Sequence, residues 1–177
     1  GLDTFVDPDR QGCRMNAAAA APIVRKIRFG DEDWLHFPNI APDVAIIRAT
    51  TADEAGNLSM EHEGAYLGVL DLAIAARNCG GIVIAQVKRM VAQGSIPTQR
   101  VYVPSTLVDA IVVVPDQMQT THTDYDPAIS GETRRSLSDF PPLAWSDDLV
   151  IARRATQELV DGDVVNLGFG IAAMVPR

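Results

Sequence analysis

Apolar residues in the first two thirds of the chain form short β-branched runs that are separated by polar turns. Three of these runs predict buried strands: residues 43–48, 82–87 and 107–114. Between the first two, Leu67, Leu70 and Ile74 recur at helical spacing, and Gly80 ends the pattern. Strand, helix and strand in this order predict a right-handed βαβ unit, which places both strands in a mostly parallel sheet.

Other local patterns flank this unit. Residues 24–29 and 34–37 predict a β-hairpin with a four-residue turn. Residues 50–57 predict a loop after the first buried strand. Glu61 and Glu63 then suit the positive N-terminal end of the helix, so we expect the group around them to form its solvated first turn.

The pattern changes after residue 115. Residues 116–146 carry Thr, Asp, Pro and Gly without a sustained period, as in a long connector. Residues 147–159 then predict a helix with acidic residues at its start, and residues 164–167 predict a strand that runs into a glycine turn.

These patterns predict two α/β domains joined by a linker. Residues 1–115 are expected to be the C-terminal part of a first domain, 116–146 the linker and 147–177 the start of a second domain. The chain opens on Gly1 without an initiator Met and stops just after a strand and a turn. Because a natural domain seldom ends on such an element, we expect a chain that is cut at both ends.

Composition narrows the functional classes. The 177 residues carry a formal net charge of −8, which argues against non-specific nucleic-acid binding but leaves room for local binding of a small anion. No apolar run approaches the roughly 20 residues of a membrane-spanning helix. Cys13 and Cys79 are too few for a disulfide framework, and we interpret them as reduced thiols of a cytoplasmic protein.

Candidate chemistry is sparse. Gly168-Phe169-Gly170 follows the last predicted strand and resembles half of a phosphate-cradling loop, although a simple tight turn explains it as well. A full dinucleotide motif fails because position 173 is Ala. A zinc site is not expected, since no metal-ligand spacing connects the three histidines, which are His36, His62 and His122.

Longer segments carry a more specific signal. Residues 1–8 (GLDTFVDP), 43–60 (DVAIIRATTADEAGNLSM), 86–89 (QVKR), 124–132 (DYDPAISGE), 151–155 (IARRA) and 165–171 (VNLGFGI) match one family in order and spacing. Together they resemble the acetate/propionate-type, family I acyl-CoA:carboxylate CoA-transferases. The resemblance extends over essentially the whole chain.

The resemblance implies a CoA-transferase-like α/β fold, with a mostly parallel open sheet and flanking helices. It implies transfer of CoA between short-chain carboxylic acids through a glutamyl-CoA thioester, with acyl-CoA and carboxylate as substrates and no permanently bound cofactor. The nucleophilic glutamate is expected beyond Arg177, so no catalytic residue is assigned. Asn166, Gly168 and Gly170 are the expected CoA-binding residues, and the intact enzyme is expected to be a homo-oligomer.

Some positions depart from the family pattern. Asp3, Cys13, Ala49 and Ser105 stand where the family favours Gly, so the local backbone at these turns is expected to differ from that of the family.

Two other functional classes stay open. One is a binding or regulatory protein that uses the same fold without transfer chemistry, and the other is an inert structural fragment.

Overall fold

The computed structural model describes residues 1–19, 21–121 and 123–176. Two compact units divide the chain, Gly1–Asp126 and Pro127–Arg177. His122, one of the three histidines considered above, and Arg177 lie outside the described residues. The expected boundaries at residues 115 and 146 concern the domains of a whole protein, and they stay a prediction.

The first unit contains a two-stranded hairpin and a four-stranded sheet with one helix. Its elements are β1 (Arg25–Phe29), β2 (Glu32–His36), β3 (Val44–Asp53), β4 (Leu58–Ser59), α1 (Val69–Asn78), β5 (Ile82–Val91) and β6 (Ala110–Val113). The larger sheet has the order β4-β3-β5-β6. β5 lies parallel to both β3 and β6, whereas β4 is antiparallel to β3. The predicted α/β fold with a βαβ unit is confirmed.

Helix α1 covers one face of this sheet. Alternate residues of β3 and β5 point into the core, and most of them are small. The fully buried members on the sheet are Ala45, Ala49, Val83, Ala85 and Val87, which pack against Ala73 and Ala76 of the helix. Within Gly1–Asp126 the opposite face leaves Ile46 and Ile82 exposed, so these strands are covered on one side and not on both as their apolar runs predict.

Two glycines end helix α1 and start β5. Gly80 has a φ of 78°, and the N–H of Gly81 donates to the carbonyl of Ala76 at 2.8 Å, which closes the last helical turn. A Cβ atom at Gly81 would lie 2.5 Å from the carbonyl oxygen of Pro42 and 2.6 Å from that of Asp43. The predicted stop at Gly80 is therefore confirmed, and only glycine fits the following position.

Several predicted element bounds are wrong. The hairpin turn has two residues and not four, because Phe29 pairs with Glu32. Strand β3 continues to Asp53 through the first half of the predicted loop, since this part of the strand pairs with both β4 and β5. The strand predicted at residues 107–114 begins only at Ala110, after a 3₁₀ turn at Ser105–Leu107.

The start of α1 is also displaced from its prediction. The helix begins at Val69, so Glu61 and Glu63 lie in the preceding loop and do not form its first turn. The prediction is wrong because both carboxylates bind arginines of the sheet, as described below. These ion pairs stabilise Glu61 and Glu63 more than a position at the N-terminus of a helix would.

The second unit has one regular helix, α2 (Asp147–Thr156), and short 3₁₀ turns at Leu137–Asp139 and Ile171–Met174. The Ser146 hydroxyl oxygen accepts from the N–H of Leu149 at 3.1 Å, which caps α2. The predicted strand at 164–167 is wrong. Val164 is fully exposed, and no described segment pairs with these residues, so their apolar run has no ladder to join.

The N-terminal segment is organised around the buried carboxylate of Asp7. It accepts hydrogen bonds from the backbone N–H groups of Asp3 and Asp9, both at 2.9 Å. These hydrogen bonds hold the pKa of Asp7 below its ordinary value of 3.8 despite burial, and Lys26 adds to the effect. Asp3 and Cys13 have φ values of 62° and 63°, so non-glycine residues keep the left-handed backbone at two positions where the family favours Gly.

This geometry predicts opposite effects for the same substitution at the two cysteines. Cys13→Gly should stabilise the fold by about 1 kcal/mol, because it removes the Cβ crowding of a left-handed residue. Cys79→Gly should destabilise by about 0.5 kcal/mol, because Cys79 caps α1 with a φ of −92°. The midpoints of urea unfolding, compared at constant m-value, measure the stability of both variants. A loss of stability on Cys13→Gly would contradict the conclusion that the left-handed backbone of Cys13 is strained.

Candidate functional site

Polar side chains converge on the sheet face opposite α1, around Arg48 in the middle of β3 and Lys88 in β5. Polar residues on a sheet face that is not simply core mark a candidate site. A small depression of about 190 Å³, open to solvent, lies there. It is lined by His62, Glu63, Lys88, Gln117, Met118, Gln119 and Tyr125.

Arg48 of β3 is the centre of this arrangement. Its Nε and Nη2 atoms both donate to the Oε2 atom of Glu63, at 2.9 and 2.5 Å, and Glu63 is buried. The same guanidinium donates to the carbonyl oxygens of Met118 at 2.8 Å and Gln119 at 2.6 Å. A planar group with five N–H donors suits these simultaneous contacts, which a lysine could not reproduce. We call these four residues the Arg48 clasp.

Glutamine side chains extend the clasp across the segment that follows β6. The Gln117 Nε2 atom donates to the carbonyl of Ala49 at 2.9 Å, and Gln86 donates to the Oε1 atom of Gln117 at 3.1 Å. The Gln119 Nε2 atom donates to the carbonyl of His62 at 2.7 Å. The beginning of the predicted linker is thus fixed to the sheet by its side chains.

Two rings and a cation line the other side of the depression. The imidazole of His62 stacks on the ring of Tyr125 with 4.2 Å between centroids. The ammonium group of Lys88, on β5, lies 4.8 Å from the centroid of the Tyr125 ring, within range of a cation–π interaction. Lys88 is half-buried and makes no ion pair with a described residue.

Glu61 belongs to a separate cluster. Its Oε1 atom accepts from the Thr51 hydroxyl and, at 2.7 Å, from the Nη2 atom of Arg89. Burial raises the pKa of Glu61, but hydrogen bonds from Thr51, Ser59 and Arg89 outweigh it, so the pKa lies below the ordinary 4.5. Glu61 and Glu63 bind different arginines, so the two carboxylates belong to separate clusters.

The segment 53–57, part of the longest string that resembles the family, builds turns. The buried carboxylate of Asp53 accepts from the backbone N–H groups of Ala55, Asn57 and Gly94 at 3.0, 2.9 and 3.2 Å. Burial raises the pKa of Asp53, but these hydrogen bonds and one from the Asn57 side chain lower it to below 3.8. The Asn57 Oδ1 atom accepts from the N–H of Ser105 at 3.0 Å, so the motif joins three loops.

The expected CoA-binding residues lie in the second unit. Gly170 has a φ of 93° and precedes the 3₁₀ turn, where its carbonyl accepts from the N–H of Ala173 at 3.0 Å. Asn166 and Gly168 are exposed. The assignment of Asn166, Gly168 and Gly170 to CoA stays a prediction.

Some other features bear on the class of site. Among the described residues, no group of three or more His, Cys, Asp or Glu side chains could hold a metal ion. None of the helices in the described part of the chain has the length and apolar character needed to cross a membrane. Cys13 and Cys79 are both free thiols, with Cys79 exposed.

Sequence reasoning missed Arg48, Lys88, Gln117 and Tyr125 as members of a site. A signal was present, because Gln86 and Lys88 interrupt the outer face of an otherwise apolar strand. Polar residues at such positions indicate that the face is not simply core.

The strand order and the βαβ unit define an α/β protein with a sheet that contains parallel strands. Comparison with known proteins makes the class specific. The coenzyme A transferase family profile matches residues 1–114. A caffeate CoA-transferase from Acetobacterium woodii is 43% identical over 178 residues, which cover 99% of this chain and 34% of that enzyme.

Two further comparisons agree. An acetate CoA-transferase, YdiF, from Escherichia coli strain K12 is 39% identical over 173 residues, which cover 97% of this chain and 33% of that enzyme. The crystal structure of acyl-CoA transferase YdiF from E. coli O157:H7, in a thioester complex with CoA, matches with a TM-score of 0.77 at 39% identity, covering 97% of this chain and 32% of that one. The chain belongs to the coenzyme A transferase family, and it spans about a third of the length of the curated relatives it matches.

The Arg48 clasp predicts strong coupling between its two charged members. Arg48→Met should destabilise the fold by about 2–3 kcal/mol, because it leaves the buried Glu63 carboxylate uncompensated while Arg48 itself is partly solvated. Adding Glu63→Gln should recover part of the loss, measured by urea unfolding as a double-mutant cycle. The exposed pair of Arg28 with Asp33 is the control, where Arg28→Met should cost about 0–1 kcal/mol. Additive effects of the Arg48 and Glu63 substitutions would contradict the clasp.

Asp53 predicts a specific pH dependence. Its folded pKa lies below its unfolded value, so the ionised carboxylate stabilises the native state above that unfolded value, and this contribution is lost as the pH falls through the folded pKa. Asp53→Asn should therefore be less stable at pH 7, and its stability should converge on that of the wild type as the pH falls below 3.8.

Urea unfolding at a series of pH values measures this difference. The control is Asp31→Asn in the exposed hairpin turn. The Asp31 side chain makes no hydrogen bond or ion pair with a described residue, so the stability of this variant should stay close to that of the wild type at every pH. A gap between Asp53→Asn and the wild type that stays constant from pH 7 to pH 3 would contradict the role of the carboxylate.

Proposed function

We propose that the polypeptide containing this chain is an acyl-CoA:carboxylate CoA-transferase that moves CoA between short-chain carboxylic acids. The observation that carries this proposal is the match to named CoA-transferases along 97–99% of the chain at 39–43% identity. The structure supports it, because residues of the longest string that resembles the family hydrogen-bond to one another, as Asp53 does to Asn57, and this string includes strand β3 of the parallel βαβ core.

The proposed chemistry is a covalent exchange of acyl carriers. A glutamate carboxylate attacks the thioester carbonyl of acyl-CoA, which gives a mixed anhydride and releases the CoA thiolate. The thiolate then attacks the glutamyl carbonyl, which gives an enzyme–CoA thioester and frees the first carboxylate. A second carboxylate reverses both steps and leaves as the new acyl-CoA. Water must be excluded, because hydrolysis of either intermediate would discard the activated acyl group.

The residues of this chain are assigned binding and structural tasks, and the glutamate nucleophile is expected beyond Arg177. Backbone N–H groups around Asn166, Gly168 and Gly170 are proposed to bind CoA, since glycines permit close approach of the backbone to an anion. Residues 1–115 are proposed as part of the first domain, 116–146 as the linker and 147–177 as the opening of the second domain.

The identity of the acid is the finer part of the proposal. The names of two relatives refer to caffeate and to acetate, which differ greatly in size. We favour a short-chain acid because the strings of this chain resemble the acetate/propionate type. A homo-oligomer in the cytoplasm is the proposed setting, in keeping with two free thiols.

The proposed function predicts a covalent adduct. The polypeptide that contains this chain, incubated with acetyl-CoA, should gain mass as a glutamyl-CoA thioester, and hydroxylamine should remove it. It should also transfer CoA to propionate, whereas the 177 residues alone should show no transfer above a heat-treated control. If the longer polypeptide binds CoA but forms no adduct and transfers CoA to no acid, a binding or regulatory role replaces the transferase.

A further inference from the structure

The cations of β3 and β5 are not equivalent. Arg48 binds Glu63, and Arg89 binds Glu61, so each of these charges has a carboxylate partner. Lys88 lies in the depression beside Glu63 but forms none of the ion pairs found among the described residues. Of these three cations, Lys88 is the one without an ion pair to a described carboxylate, in a chain whose formal net charge is −8.

The surroundings of Lys88 hold its ammonium group at the depression. The ring of Tyr125 lies 4.8 Å below the Nζ atom, and His62 stacks on that ring at 4.2 Å. A lysine ammonium above an aromatic face is attracted to the ring by its charge. The N–H groups that point away from the ring therefore stay available as hydrogen-bond donors. The Arg48 guanidinium holds the Oε2 atom of Glu63, and the Oε1 atom lies 3.4 Å from the Nε2 atom of Gln117, so neither oxygen is paired with Lys88.

The size of the depression limits what can bind. The 190 Å³ of the depression includes space open to solvent, and the room that can hold the centre of a water-sized group is only about 10 Å³, far below the roughly 300–1,000 Å³ of pockets that enclose a whole organic ligand. One oxygen atom of a charged group fits this room, whereas an entire coenzyme does not. The Gln117 amide at the rim is bonded to Ala49 and Gln86, so the lysine is the donor on which an anion depends.

We propose that Lys88, supported by Tyr125 and His62, forms a subsite for one oxyanion group of a substrate. This inference rests on the proposed function, under which both substrates are anionic. The shared chemistry is an oxygen anion that accepts hydrogen bonds from a lysine ammonium. Its source is either the carboxylate of the acid or a phosphate of CoA, and the experiment separates the two.

Lysine footprinting tests the subsite directly. The chain has two lysines, Lys26 and Lys88, and Lys26 is an internal reference because it is paired with Asp7 and Asp9. The polypeptide that contains this chain is treated with a limiting amine-acylating reagent, alone or with saturating acetate, inorganic pyrophosphate or CoA, and both lysines are quantified by mass spectrometry. Labelling of Lys88 should fall several-fold with a bound anion, while labelling of Lys26 stays constant.

The ligand arms identify the source of the anion. Protection by acetate alone assigns the subsite to the carboxylate of the acid, and protection by CoA and pyrophosphate assigns it to a phosphate. Absence of protection by every ligand overturns the proposal. Because footprinting does not require turnover, a protein that shows protection but forms no thioester adduct retains the subsite and loses the proposed transferase function.

Substitutions supply a second measurement. Lys88→Met should weaken binding of the protecting ligand about tenfold, the effect of losing a charge-assisted hydrogen bond, and Lys88→Arg should retain most of the affinity. Arg28→Met removes a cation from the exposed hairpin and is the matched control, with unchanged affinity. Equal affinity of the Lys88→Met protein and the wild type would overturn the subsite. Circular dichroism of each variant verifies that the fold is kept.

Discussion

The parallel pairing of β3 with β5 is the constraint on which the rest of the first unit depends. It runs in register from Val44 with Ile82 to Asp53 with Val91, and a parallel pair requires a crossover, which α1 provides. The alternation along both strands then decides which residues face α1 and which face the polar depression. Arg48 shares a face with Ile46 because the two residues are two positions apart in β3. Lys88 lies on the same face because it follows Ile84, the ladder partner of Ile46, by four positions.

The limits of sequence reasoning follow from the range of the contacts. Apolar runs and Gly80 predicted the βαβ unit because strand and helix periodicity are local properties. The second half of β3 was missed because Thr50, Thr51 and Asp53 are polar, and they are buried only through partners distant in sequence. Glu61 and Glu63 were assigned to a helix start because their arginine partners cannot be identified from local spacing.

The candidate site was still less accessible from the sequence. The Arg48 clasp joins residues 15 and about 70 positions apart, and no periodic pattern encodes such contacts. The family resemblance supplied the class of protein, which the residues alone did not. Its longest string proved to combine turn-forming residues around Asp53 with the start of the clasp at Arg48, so the same segment determines both loop geometry and the wall of the depression.

The clasp also has a mechanical consequence. Strand β6 ends at Val113 and lies at the edge of the sheet, where backbone pairs can be separated one at a time. The contacts of Arg48 with Met118 and Gln119 lie farther along the chain than this strand. Tension applied to the chain beyond Asp126 is therefore borne first by the ring contacts of Tyr125 and then by the guanidinium and glutamine contacts, and the edge strand is shielded from peeling until these yield.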